Sequence, residues 1–147
     1  MKIDETNIVI IKHLRDGRKS FKAIADELSI TENTVRARVN KLMEEKVLDI
    51  TGTVDPSSLP GHQMAMIGVK VNTMNLGMIA LRFTDLRGVI SVSVVTGRYD
   101  LIVQVLLNEE LDLINFYTRE VARIPEVQEV ETFIAYQNYN LRVPYIL

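Results

Sequence analysis

The apolar residues of this chain change their period once, near residue 46, and that change limits the folds open to it. Up to that point they recur every three to four residues, as helix faces do. Beyond the stretch Asp55-Pro56-Ser57-Ser58-Leu59-Pro60-Gly61, short β-like runs alternate with helical ones. A length of 147 residues leaves room for two small domains. The boundary is expected in the linker, giving domains of residues 1–60 and 61–147.

The first part reads as three short helices. Asp4 is placed to cap one whose apolar residues Ile8, Ile11 and Leu14 share a stripe, with Ile10 beside them, and Asp16-Gly17-Arg18 ends it. Ser20 caps a second, with Ile24, Ala25 and Leu28 as its inner face. After a break at Ser29-Ile30, Thr31 caps a third that runs to about Glu45. Helices this short are stable only when their apolar stripes pack together. At about 100° per residue, Val35, Val39 and Leu42 of the third helix fall within an arc of about 60°. Asn33, Ala37, Asn40 and Lys41 lie broadly opposite, with Arg36 on one flank and Thr34 and Arg38 on the other.

Such a face suits double-stranded DNA. Asn pairs two-pronged with adenine, Arg with guanine, and Ala meets a thymine methyl. Lys22 and Lys41 are placed for phosphates, which fix register without reading sequence. Charge agrees in distribution only. The net charge is −2, yet residues 12–41 hold eight Lys or Arg against four acids, and residues 61–147 hold seven against nine. A solvated helical unit that binds protein fits the same pattern.

The second part follows the order β-α-β-β-α-β. Strands are expected at residues 64–71, 89–96, 101–107 and 127–136, and helices at 76–86 and around Ile114, Tyr117, Val121 and Ile124. A short strand at 47–54 and another in the tail 139–146 are added. This is the ferredoxin-like arrangement, two helices on one face of an antiparallel sheet. Strand 89–96 alternates so that its second face is half apolar, and a second copy of the chain is the natural cover.

Taken in order, these residues resemble the Lrp/AsnC (feast/famine) family of prokaryotic regulators. The likeness is carried by Asp16-Gly17-Arg18-Lys19-Ser20, Ile24-Ala25-Asp26-Glu27-Leu28 and Ile30 to Val39 in the first part. In the second it is carried by Val94 to Leu101, Ile124-Pro125-Glu126-Val127 and Val130-Glu131-Thr132-Phe133. The resemblance implies an α+β protein, with a winged helix-turn-helix domain joined to a ferredoxin-like βαββαβ domain that senses an effector. Effectors of the family are commonly amino acids, and its members form homodimers and often octamers. Carried over by position, the effector residues would be Gly97, Arg98, Tyr99, Asp100 and Thr132. Gly97 and Tyr99 better suit a structural role, a turn conformation and packing of the hairpin, whereas Asp100 equally suits bonding to backbone N–H groups. Three positions depart from the family pattern: Ser29 and Lys46 stand where glycine is frequent, and Arg98 where an acid is.

Other functions find less footing. The sequence has no cysteine, no phosphate-cradling glycine loop and no nucleophile elbow, and His13 and His62 fall in different expected domains. No cofactor, metal or catalytic residue is expected. Sirohaem decarboxylases share the two-domain layout, but no cluster of His and Arg suited to a tetrapyrrole is present. No apolar run is long enough to cross a bilayer, and the start Met1-Lys2-Ile3-Asp4-Glu5 is unlike a secretory signal, so a cytoplasmic location is expected.

Overall fold

The computed structural model describes residues 3–147. The chain divides into two compact units between Thr51 and Gly52.

The first unit holds three helices, α1 (Glu5–Leu14), α2 (Phe21–Leu28) and α3 (Glu32–Glu44). Each starts on the cap residue expected from sequence. Asp4, Ser20 and Thr31 accept the N–H groups of Asn7, Ala23 and Thr34 respectively. The core is Ile10, Ile24, Ala25, Val35 and Val39, with Leu14, Phe21, Leu28, Ile30 and Leu48 packed around it. The α1 stripe differs from the expected one. Its inner line is Asn7, Ile10 and Leu14, and Ile8 is 46% exposed. A buried asparagine at the head of the stripe disguises it, because a polar residue counts against an inner face when only hydrophobicity is read.

Both helix ends that lack the family's glycine keep the left-handed geometry glycine would give. Ser29 has φ 54° and Lys46 φ 55°. Around each, paired N–H groups close the helix. Ile30 donates to the Ala25 carbonyl and Ser29 to that of Asp26, while Val47 donates to Leu42 and Lys46 to Met43.

The second unit is built on a four-stranded antiparallel sheet. Its strands are β2 (Gln63–Val71), β3 (Val89–Val94), β4 (Leu101–Leu107) and β5 (Val127–Ile134), in the order β3-β4-β2-β5. That order is the one the βαββαβ pattern requires. Helix α4 (Leu76–Thr84) and a second helical stretch cover one face. The second stretch, α5, begins at Leu113–Asn115, opens into a π turn over Phe116–Glu120 and tightens over Val121–Arg123. Ala65, Ile67, Val69, Val103 and Val105 meet Ile79, Phe83 and Phe116 between the layers.

Two details correct the expected boundaries. The linker strand shortens to β1 (Thr53–Val54) and pairs antiparallel with β6 (Val143–Pro144) in the tail. With that pairing, residues 52–60 belong to the second unit, which begins nine residues before the expected cut. In β3, the register shifts between Val89 and Ser91. Val89 and Val92 therefore both join the helix-side core, and Ile90 packs on the other side with Met64, Leu106 and Val143.

Candidate nucleic-acid interface and ligand loop

On α3 the division into faces is sharp. Val35, Val39 and Leu42 are between 0 and 1% exposed. Asn33, Thr34, Arg36, Ala37, Asn40 and Lys41 are exposed, as is Lys22 on α2. The outer face is thus held rigid by a packed inner one, with amides and cations facing solvent. Thr34 is occupied at close range, its hydroxyl 2.8 Å from that of the cap residue Thr31.

The two arginines separate. Arg36 stays at the surface, bonded to Glu32 at 2.7 Å and lying 5.2 Å from the centre of the Phe21 ring. An exposed pair one helical turn apart stabilises by only a few tenths of a kcal/mol, so nucleic acid can displace Glu32 at small cost. Arg38 turns away from the expected face toward α1, where its Nη1 donates to Asp4 at 2.7 Å and to the amide oxygen of Asn7 at 2.9 Å. Nothing in short-range spacing announces this contact, since Asp4 and Arg38 lie 34 residues apart. Lys19 forms the corresponding tie at the other end of α1, donating to His13 Nδ1 at 2.8 Å and pairing with Glu27 at 2.7 Å. Both carboxylates are held below their ordinary range, Asp4 chiefly by the Arg38 hydrogen bond and Glu27 chiefly by that of Lys19.

The residues expected around the ligand loop do not all converge. Gly97 has φ 127° with open space around it, so its backbone requires glycine whether or not a ligand binds. Asp100 braces the loop on β2: its N–H donates to the Val69 carbonyl and its carboxylate accepts from the Val71 N–H, both at 2.9 Å. Thr132 pairs in register with Ile67, which faces the helices, and its hydroxyl bonds to Tyr117. Burial raises the Tyr117 phenol above its ordinary value. Tyr99 lies on the opposite sheet face, over Gly68, where an added Cβ would sit 2.7 Å from its ring. Thr132 is therefore separated from Tyr99 by the sheet itself.

Its neighbour Glu131, which pairs in register with Gly68, is the residue beside Tyr99 that the carried-over set omits. Arg98 Nη2 lies 3.4 Å from Glu131 Oε2, and the guanidinium sits 5.4 Å from the Tyr99 ring centre. The Tyr99 hydroxyl and Glu131 Oε2 are buried without a hydrogen-bond partner. Such atoms are costly unless something satisfies them. Close by, Met66 and Phe133 pair in register and are each 45% exposed. His62 is partly covered, its ring bonded to the Pro60 carbonyl at 2.8 Å and to the Tyr145 hydroxyl at 3.3 Å.

Comparison with known proteins bears on both units. The sequence matches the model of the Lrp/AsnC ligand binding domain over residues 64–144 and that of the AsnC-type helix-turn-helix domain over residues 3–43. The HTH-type transcriptional regulator FL11 of Pyrococcus horikoshii is 29% identical over 139 residues, which are 93% of this chain and 91% of that protein. Among solved structures, E. coli AsnC superposes with a TM-score of 0.72 at 21% identity, covering 97% of both chains. A Neisseria meningitidis transcriptional regulator solved as its L-Met complex gives 0.71 at 17% identity, covering 99% of this chain and 96% of that one. At such identities the structural likeness shows the fold. No helix among the described residues is long and apolar enough to cross a membrane.

Proposed function

The chain belongs to the Lrp/AsnC family of transcriptional regulators, and from that premise we propose that it is a cytoplasmic homodimer that reads double-stranded DNA with α3 and responds to an amino acid. The observation that carries the DNA reading is the division of α3 into a fully buried inner face and an outer face of Asn33, Arg36, Ala37, Asn40 and Lys41. Two such helices, one from each copy, read the half-sites of a roughly palindromic operator. Lys22 and Lys41 contact phosphates.

For the effector, support comes from the Tyr99 hydroxyl and Glu131 Oε2, buried without a hydrogen bond beside Arg98, and from the neighbour solved with L-Met. A carboxylate and a guanidinium side by side offer partners to the ammonium and carboxylate of an amino acid. Second-copy contact is supported by the uncovered pair Met66 and Phe133 on the sheet face that α4 and α5 leave bare. Binding there shifts the balance between assemblies and so the operator affinity. Further assembly of dimers into octamers is part of the same reading.

Selection of bound fragments from random DNA, repeated with a panel of amino acids, tests this directly. Arg36→Ala is expected to weaken operator binding by about 1–3 kcal/mol and random-DNA binding much less. An equal loss on both would reduce Arg36 to a phosphate contact. No enriched sequence under any condition would end the regulator reading, and enrichment indifferent to every amino acid would end the effector part alone.

A further inference from the structure

Asp4 serves two partners at once. Oδ1 accepts the Asn7 N–H at 2.8 Å and so caps α1, while Oδ2 accepts from Arg38 on α3 at 2.7 Å. The same Arg38 nitrogen reaches the Asn7 amide oxygen at 2.9 Å. Asn7 is 4% exposed and is the buried polar residue of the described core, and a buried amide is stable there only with its oxygen satisfied. The three side chains thus form a closed network between the start of α1 and the middle of α3. The Arg38 side chain is 33% exposed, against 53% for Arg36, in keeping with its turn toward α1.

The geometry has a consequence for the outer face. Packing of Val35, Val39 and Leu42 holds α3 down, and because apolar contacts carry no direction of their own, directional bonds add a finer restraint on its roll. A roll of about 20° would carry a side-chain tip about 6 Å from the helix axis through about 2 Å. That exceeds the width of the hydrogen-bonding range, which spans about 2.7–3.2 Å. Directional bonds from Arg38 to two α1 side chains restrain this motion.

We propose that Arg38 is a positioning residue for DNA reading, one that touches no nucleic acid and instead fixes the roll of α3 through Asp4 and Asn7. Its charge is matched by Asp4, so it contributes no counterion release on binding. The low-lying Asp4 carboxyl keeps that match intact throughout the neutral range. This inference rests on α3 reading DNA, and the two fail differently. If α3 does not read DNA, the unmodified protein shows no operator preference at all.

The test measures affinity for operator and random duplexes between about 50 and 200 mM salt. It uses the full chain and its Arg38→Gln, Asp4→Asn and doubly substituted forms. Asparagine caps a helix as well as aspartate does, so Asp4→Asn loosens Arg38 while leaving α1 capped. Expected is an unchanged salt slope in Arg38→Gln with a loss of about tenfold in the operator-to-random ratio, the worth of one misplaced base contact. Asp4→Asn shows the same loss, and the double form loses no more than either. A salt slope reduced by about one in Arg38→Gln would make Arg38 a phosphate contact. Tighter operator binding by Asp4→Asn would show a freed guanidinium reaching DNA, and unchanged ratios in both would remove any positioning role. Each of these overturns the inference. Should Arg38→Gln lose its helical circular dichroism, Asp4→Asn decides alone.

Discussion

In the helical unit the outer face of α3 is polar, and Arg36 and Arg38 each hold a carboxylate at 2.7 Å. In the sheet unit the outward face shows Met66 and Phe133 side by side and two buried oxygens that accept or donate no hydrogen bond, one of them, Glu131 Oε2, 3.4 Å from Arg98. The first unit closes its own core, from Ile10, Ile24, Ala25, Val35 and Val39, and the α3 face of Asn33, Arg36, Ala37, Asn40 and Lys41 that it leaves outside suits a hydrated, charged partner. The second closes one layer under α4 and α5 and leaves the other side to be finished from outside, apart from the corner covered by β1 and β6. A surface incomplete in this way is expected to respond to what binds it, whereas a complete one presents a fixed pattern. Reading and sensing thus fall on different units for a physical reason.

The contrast is tested most strongly at Gly68. The Tyr99 ring occupies the space of a missing Cβ, at 2.7 Å, so Gly68→Ala has to push the ring and with it the loop braced by Asp100. Overpacking of this kind costs about 1–3 kcal/mol, read as a loss in denaturant midpoint. The same substitution in a Tyr99→Ala background removes the obstacle and is expected to cost much less. Equal costs in both backgrounds would mean that the close approach does not constrain the loop.

A smaller effect of opposite sign is expected in the helical unit. Ser29 and Lys46 hold the left-handed conformation at the ends of α2 and α3, which a residue with a side chain adopts at a cost of about 1–2 kcal/mol. Glycine removes that cost but gives the unfolded chain more freedom. Ser29→Gly and Lys46→Gly are each expected to stabilise by about 1 kcal/mol in thermal unfolding. A loss in either would show that the present side chain holds a contact outweighing its strain.

How much of this could be read from sequence follows from the range of each interaction. The three helix caps, the buried stripe of α3 and the βαββαβ order depend on residues within a few positions of one another, and all were legible. The exposed polar face of α3 was legible for the same reason, save for Arg38, whose partners Asp4 and Asn7 lie far back along the chain. Asn7 also hid the true inner line of α1. In the sheet unit the errors come from register. Whether Thr132 or Glu131 stands beside Tyr99 depends on which β5 residue faces Gly68, and period-two alternation leaves no tolerance for a shift of one. The bulge near Ile90 and the pairing of β1 with the tail are likewise cross-strand facts.

The smallest expected effect concerns acid. Lys19 holds the Glu27 carboxyl below its ordinary value of 4.5, with His13 adding a weaker pull. A carboxylate whose value is lowered by folding contributes stability that is present above the unfolded value and lost as pH falls through the folded one. Stability of the helical unit is therefore expected to decline as pH drops below about 4.5, with Asp4 following in a lower window because its ordinary value is 3.8 and Arg38 depresses it further. Both carboxylates are exposed and solvent screens them, so the decline is shallow. Lys19→Gln should flatten the upper part of that decline while leaving the Asp4 window in place, as followed by helical circular dichroism across a pH series. A decline of unchanged steepness in Lys19→Gln would show that the tie from α1 to α2 carries no pH-linked stability. The two ends of α1 would then differ in kind, with only the Asp4–Arg38 contact coupling charge to the placement of α3.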